Sequence, residues 1–321
     1  MCLDKKKLQK IEADASYRFF FRKKNKKKNS IIVYAKKEKK KNLLIYDSIN
    51  KLLIKNGILA PKLYAENYKK NYIEIEDFGN ETLFKILKKN KRNRIKLYKQ
   101  GISLLIKIQK IKNKKTKDFK KKIYKIPTYS KKKLFDEAKL FCDWYVPKVL
   151  QKNKVLSLNK KLISEIRLLS SKIKLRNNVF VHRDFHVSNL MRYKNKVCVI
   201  DTQDALIGNK AYDLVSLIDD VRLRTSDKLK HQIYKYYVNL NKNNLNKNLF
   251  KDDFQILSVL RNLKIIGIFT RLAIRDKKMK YLKLIPYAWE LIELRLNYNP
   301  IFKGIKSLLD NNFSRKIRIK K

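Results

Sequence analysis

Glycine and proline are scarce in this chain, six and five among 321 residues. The first glycine is Gly57, so neither a G-x-G-x-x-G turn nor a Walker loop can stand near the N-terminus. A phosphate held there must be met by side chains and a glycine-free backbone. Cysteine and histidine are rarer still, with three of each. Cys2, Cys142 and Cys198 are too scattered for a disulfide framework, and with His182, His186 and His231 they form no zinc-like spacing. A reducing cytoplasm is the expected setting. The opening Met-Cys-Leu-Asp-Lys-Lys-Lys lacks the apolar core of a signal peptide. No run of ~20 apolar residues follows, so no membrane partner is expected.

Acidic residues are the other shortage. Lys and Arg total 81 against 28 Asp and Glu, a net charge of +53. Such a charge by itself points to nucleic acid or an anionic surface. However, the abundant Lys, Asn, Ile, Tyr and Phe have A/T-rich codons, and the scarce Gly and Pro have G/C-rich ones. A biased genome raises lysine without selection for a ligand. The lysines also spread over the whole chain instead of forming one stripe. No specific nucleic-acid partner is therefore expected.

What the chain does have is organised around Val181-His182-Arg183-Asp184-Phe185-His186-Val187-Ser188-Asn189, followed by Val197-Cys198-Val199-Ile200-Asp201. Phosphoryl transfer needs a carboxylate to position the attacking hydroxyl, and an amide with a second carboxylate to hold Mg²⁺ on the phosphates. Asp184 fits the first role, and Asn189 and Asp201 fit the second. The nucleotide would be ATP.

Ahead of this stretch, Tyr17–Arg22 and Ser30–Tyr34 flank a basic turn and suit a β-hairpin. A helix over Leu43–Leu53 should stop near Asn56-Gly57. Pro61 opens an extended stretch, and Asn71–Asp77 alternates like a strand. From residue 81 to about 176 the apolar spacing is helical, and Leu134–Leu150 reads as one helix with an aromatic face. Trp144 on that face either packs in the core or forms a wall of an acceptor site. Residues 238–249 look like a surface connection, and long helices are expected over 253–275 and 278–297. The basic tail from Ser314 reads as a frayed end. The expected fold is α+β and two-lobed, with a β-rich N-lobe over residues 1–80 and a helical C-lobe over 81–321.

In place of a glycine loop, Asp14-Ala15-Ser16-Tyr17-Arg18 precedes the first of these strands. The Ser16 hydroxyl can donate to a phosphate oxygen, and Arg18 or Arg22 can supply charge. Lys36, ending Ile31-Ile32-Val33-Tyr34-Ala35-Lys36, is the nearest candidate for an ATP-binding lysine, although it sits in a lysine run. Ile75-Glu76-Asp77-Phe78-Gly79 has the character of a hinge whose backbone can meet the adenine edge, which marks Glu76 and Phe78.

Asp201 is followed by Thr202-Gln203-Asp204-Ala205, and Asp213 opens the next helix soon after. There is no room for the activation segment of a protein kinase, nor any Ala-Pro-Glu element. His186 also stands where protein kinases carry lysine. The acceptor is therefore a small molecule, with His186 beside it.

His182-Arg183-Asp184-Phe185-His186…Asn189 with Asp201 resembles the aminoglycoside phosphotransferase and choline kinase superfamily. Asp201-Thr202-Gln203-Asp204-Ala205 and Tyr212-Asp213-Leu214-Val215-Ser216-Leu217 sharpen the likeness toward the bacterial N-acetylmuramate/N-acetylglucosamine anomeric kinases. Asp14–Arg18, Glu76–Gly79, Asp143-Trp144-Tyr145 and the run Arg261–Leu272, continuing to Arg275-Asp276, are similar as well. The resemblance implies a kinase-like fold that moves the γ-phosphoryl of ATP to the anomeric hydroxyl of an amino sugar in peptidoglycan recycling. It also implies that Asp204 accepts from sugar hydroxyls, and that Arg271 and Arg275 face the lactyl carboxylate of N-acetylmuramate. In two places the chain departs from the group. Thr202 replaces a Phe, which should loosen packing beside the metal site, and Phe19 replaces an Arg. A kinase of choline, an aminoglycoside or another amino alcohol is the same-fold alternative. A degenerate kinase fold that binds nucleic acid is the alternative of another class.

Overall fold

The computed structural model describes residues 8–11, 18–25, 28–90, 92–297 and 299–319. It divides into two compact units, Met1–Pro127 with Val179–Ile207, and Thr128–Asn178 with Gly208–Lys321. The change from strands to helices near residue 80 falls inside the first unit.

The first unit is built on an antiparallel sheet of β1 (Leu8–Ile11), β2 (Arg18–Lys23), β3 (Ser30–Ala35), β4 (Leu63–Asn67) and β5 (Tyr72–Glu76), in the order β1-β2-β3-β5-β4. The expected hairpin is β2–β3, in register from Arg18 opposite Ala35 to Lys23 opposite Ser30. The central strand β3 is β-branched and almost wholly buried, as a strand with neighbours on both sides should be. Helix α1 (Lys41–Lys55) lays Leu43 and Tyr46 on Val33, Ala35, Ile73 and Ile75. It stops where expected, with Gly57 at φ +72°. The edge strand β1 was not expected, because only its end residues Leu8 and Ile11 are even partly buried and its middle is polar.

Helices α2 (Leu83–Lys89) and α3 (Arg94–Gln109) follow. The helical pattern expected as far as residue 176 is then interrupted by a small hairpin, β6 (Lys115–Lys117) and β7 (Ile123–Lys125). Asp118 turns it by accepting from Lys120 N and Lys122 N. Lys115 and Lys117 in β6, and an exposed Ile123 in β7, hide the strand period here. Farther on come β8 (Asn177–Val181), β9 (Leu190–Tyr193), β10 (Lys196–Val199) and β11 (Leu206–Asn209). β9 and β10 form a hairpin turning on Lys194 and Asn195, both at positive φ. Asn-Gly usually fills such a turn, and this glycine-poor chain uses lysine and asparagine instead.

The second unit is helical. The helix expected over Leu134–Leu150 is instead α4 (Lys131–Ala138), a π turn over Phe141–Tyr145, and α5 (Val146–Val149). The break sets Phe141 and Tyr145 against Trp289 and Phe313 in one aromatic cluster, and burial of those rings overrides the α-helical period. After α6 (Lys152–Ser171) and the wholly buried α7 (Tyr212–Ile218), α8 (Asp227–Leu240) and α9 (Lys247–Asp276) leave a connection shorter than expected. Asn246 caps α9 by accepting from Leu249 N, so the asparagine run 241–246 contains a helix start. Helix α9 is buried almost all round from Ile256 to Ala273 and forms the axis of the unit. Helices α10 (Ile285–Leu296) and α11 (Lys303–Asn312) pack around it and α6. The tail is not frayed as far as it is described. Arg315–Ile319 forms α12, held by Arg318 bonded to Glu293 and Asp310 and stacked over Trp289. No helix among the described residues is long and apolar enough to cross a membrane.

Candidate active site

The loop after β8 is held by its own backbone. His186 N donates to Asp184 O at 3.0 Å, Asn189 N to His186 O at 2.9 Å, and Asn189 Nδ2 to Asp184 O at 3.0 Å. Phe185, Val187 and Leu190 are fully buried and anchor it, while Asp184, Ser188 and Asn189 stay partly open. Phe84 N at the start of α2 donates to Val187 O. Ile200 N donates to Asn189 O at 3.1 Å, and the ring of His182 meets Ile200 O at 3.0 Å. A carbonyl only accepts, so His182 carries its proton on Nε2. These bonds tie the loop bearing Asp184 and Asn189 to the segment bearing Asp201.

Arg183 and Asp201 both take left-handed backbone, φ 75° and 64°. A non-glycine residue there is strained by roughly 1–2 kcal/mol and needs neighbours that fix it. On one side of Asp201, His182 holds Ile200. On the other, the buried Thr202 donates its hydroxyl to Asn50 Oδ1 at 2.6 Å, and Asn50 Nδ2 donates to Pro61 O. Thr202 therefore does not loosen this region. A buried polar link to α1 replaces the aromatic packing expected of Phe.

Arg18 is 7% exposed and enclosed between the rings of Phe20 and Tyr46, each 5.5 Å from its guanidinium. Its Nη2 donates to Asp201 Oδ1 at 2.5 Å and its Nη1 to Gln203 Oε1 at 2.7 Å. Burial pushes the Tyr46 hydroxyl up to about 12 against the opposing charge of Arg18, so a neutral ring faces the cation. Gln203 Nε2 donates to Asp204 Oδ2 at 2.7 Å, and Arg183 Nη1 lies 3.6 Å from Asp204 Oδ1. The Asp204 side chain is 56% exposed. His186 is buried, with Nε2 3.5 Å from Asn189 Nδ2.

Asn189 and Asp201 offer amide and carboxylate oxygens, a hard donor set that suits Mg²⁺. That ion uses one or two protein oxygens together with phosphates rather than an all-protein cage. Among the described residues no group of three or more His, Cys, Asp or Glu forms such a cage.

Of the other expected nucleotide contacts, Ser16 lies outside the described residues. Lys36 is exposed just before a 3₁₀ turn. Glu76 has its N–H donated to Lys62 O and its carboxylate bonded by Lys28, whose pKa is raised by its hydrogen bonds with Tyr64 and Glu76. Phe78 is buried against Met191, Cys198 and Tyr193. The hinge turn itself is fixed by Asp77, whose carboxylate takes Arg22 at 2.5 Å and Gly79 N at 2.8 Å, with Gly79 at φ +82°. Arg22 is thus committed to Asp77.

The remaining expected residues belong to the second unit. Trp144 is half-buried in the π turn. Arg271 has a buried Nε without a partner among the described residues. Arg275 forks onto its neighbour Asp276 at 2.7 and 3.0 Å. Sequence reasoning missed Gln203 and Asn50. Gln203 was visible as the residue two after Asp201, but Asn50 carries no local signal, because its role depends on Thr202 across 152 positions.

A family model described as the phosphotransferase enzyme family matches residues 7–242. The N-acetylmuramate/N-acetylglucosamine kinase of Pseudomonas aeruginosa is 27% identical over 266 residues, covering 80% of this chain and 75% of the relative. The enzyme of the same name from Neisseria meningitidis serogroup B is 28% identical over 248 residues, with 75% and 71% covered. Among solved structures, a streptomycin–ATP complex of APH(2")-IIa matches with a TM-score of 0.60 at 14% identity, covering 89% of this chain and 90% of that one. Plasmodium vivax ethanolamine kinase matches with 0.60 at 15%, covering 94% and 85%. These two likenesses are of fold.

Proposed function

Because the chain belongs to the phosphotransferase enzyme family, we propose that it transfers the γ-phosphoryl group of ATP to the anomeric hydroxyl of N-acetylmuramate or N-acetylglucosamine. The reading rests on the collinear match to two kinases of those sugars together with one geometric fact. Asn189, beside Asp184, is tied through its carbonyl to Ile200, next to Asp201.

Asp184 orients the sugar hydroxyl and takes its proton as the oxygen–phosphorus bond forms. The bond from the γ-phosphorus to the β,γ-bridging oxygen breaks, and ADP leaves. Arg18 supplies positive charge beside the phosphates without a glycine loop. Mg²⁺, held by Asn189 and Asp201, would neutralise phosphate charge. Asp204 accepts from sugar hydroxyls. The setting proposed is cytoplasmic peptidoglycan recycling.

ATP consumption with Mg²⁺ and each sugar, beside choline and kanamycin, tests the reading. Sugar-dependent turnover is expected, falling by about 10²–10⁴ in Asp184→Asn. Activity on choline or kanamycin alone would keep the fold and overturn the acceptor. Silence on all acceptors, with equal weak ATP binding by both proteins, would favour a binding protein.

A further inference from the structure

Gln203 sits between two charged groups that serve different parts of this chemistry. Its Oε1 accepts from Arg18 Nη1 at 2.7 Å, and its Nε2 donates to Asp204 Oδ2 at 2.7 Å. Few side chains can satisfy a cation and an anion at once, and a carboxamide does so because it carries an acceptor oxygen and a donor nitrogen on one rigid fork. The backbone fixes its place. Gln203 and Asp204 are the central residues of a turn closed by Ala205 N donating to Thr202 O at 3.1 Å, and Thr202 is fastened to Asn50. Gln203 is 9% exposed.

The division of Arg18 is the telling feature. A guanidinium beside a carboxylate commonly takes both oxygens in a two-bond fork. Here Nη2 goes to Asp201 Oδ1 and Nη1 goes to Gln203. A carboxylate clasped on both oxygens by an arginine is a poor ligand for a cation. With one nitrogen drawn aside, Asp201 keeps a face for the metal while Arg18 stays close enough to meet a phosphate.

We propose that Gln203 is a positioning residue with two separable duties. It draws half of the Arg18 guanidinium away from Asp201, which keeps that carboxylate open to a metal–nucleotide complex. It also holds Asp204 in one orientation for the acceptor. The second duty rests on the acceptor reading given above, and the first does not.

Variants of opposite charge separate the two. Gln203→Glu still accepts from Arg18 but sets a carboxylate against Asp204. Gln203→Lys binds Asp204 but repels Arg18 and drives it onto Asp201. Titration calorimetry with Mg²⁺ and a non-hydrolysable ATP analogue reads the first duty without catalysis, and the acceptor KM reads the second. Gln203→Lys should weaken Mg²⁺-dependent nucleotide binding about tenfold and leave the acceptor KM near wild type, while Gln203→Glu should do the reverse. Gln203→Met, which removes both bonds, should show both losses. A purely structural glutamine would lower the melting temperature in all three without this crossed pattern, and that result overturns the proposal. Should either charged variant fail to fold, the Met variant still decides. Wild-type nucleotide affinity together with wild-type acceptor KM in it sinks both duties. If the wild-type enzyme turns over neither sugar, the acceptor reading fails by itself, and calorimetry continues to judge the first duty.

Discussion

Thr202 and Asn50 show how a single residue can trade one kind of cohesion for another. Where an aromatic ring is expected beside Asp201, this chain has a hydroxyl, fully buried and bonded to an amide that in turn reaches Pro61 O. The exchange keeps the left-handed turn at Asp201 in place by directional bonds instead of packing. The buried cysteines have a different consequence. Burial pushes the thiols of Cys142 and Cys198 from 9.0 up to about 12. The folded state therefore keeps both protons at a pH where the unfolded chain has lost them. Their contribution is fully present below pH 9, and it declines as pH rises from there toward 12, by about 1.4 kcal/mol per pH unit per thiol. Denaturant midpoints should fall through this window, and replacing both cysteines by alanine should flatten that part of the slope. An unchanged slope would show that neither thiol is linked to folding there.

At the scale of elements, Gly267 decides how α9 meets the π turn. A Cβ at this position would stand 2.3 Å from the Leu140 carbonyl carbon, 2.5 Å from its oxygen and 2.6 Å from Phe141 N. Helix propensity alone favours alanine over glycine in a helix interior by about 1 kcal/mol. The clash is with backbone, which cannot rotate away as a side chain can, so it prevails. Gly267→Ala should destabilise the protein by about 2–3 kcal/mol or more in chemical denaturation. A neutral or stabilising result would mean that α9 can shift off the π turn at little cost. The same junction explains why Leu134–Leu150 misleads as a sequence. Its apolar spacing is helical, but the departure from the α-helix is set by Gly267 and Trp289, which come much later in the chain.

For the whole molecule, the imbalance of 81 basic to 28 acidic residues governs the response to salt. Exposed pairs such as Lys139–Asp143, Lys306–Asp310 and Arg224–Glu290 are stabilising, and salt weakens them. They are few beside a net charge of +53, whose self-repulsion salt also screens. Raising NaCl from about 20 mM to about 300 mM shortens the screening length from roughly 20 Å to roughly 6 Å. The melting temperature should therefore rise by several degrees over that range. A falling melting temperature would show that the pairs outweigh the repulsion, and that the lysines are arranged more favourably than their number suggests.

The sequence alone determined which residues are candidates for the site and where several of the elements lie. The spacing of Asp184, Asn189 and Asp201, the hairpin of β2 and β3, and the stop of α1 at Asn56-Gly57 are all local features, written in a short stretch of chain. The tertiary structure decided everything that depends on distant partners. It showed that Arg18 bonds Asp201 while Arg22 is committed to Asp77, and that Thr202 is fastened by Asn50. It also revealed β1 and the β6–β7 hairpin, whose strands of three or four residues are too short to carry an apolar pattern. Local spacing fixes which chemical groups a segment offers. Which carboxylate each of several like-charged side chains meets depends on geometry between residues far apart in the chain, and in a sequence so rich in lysine and arginine that choice leaves no local trace.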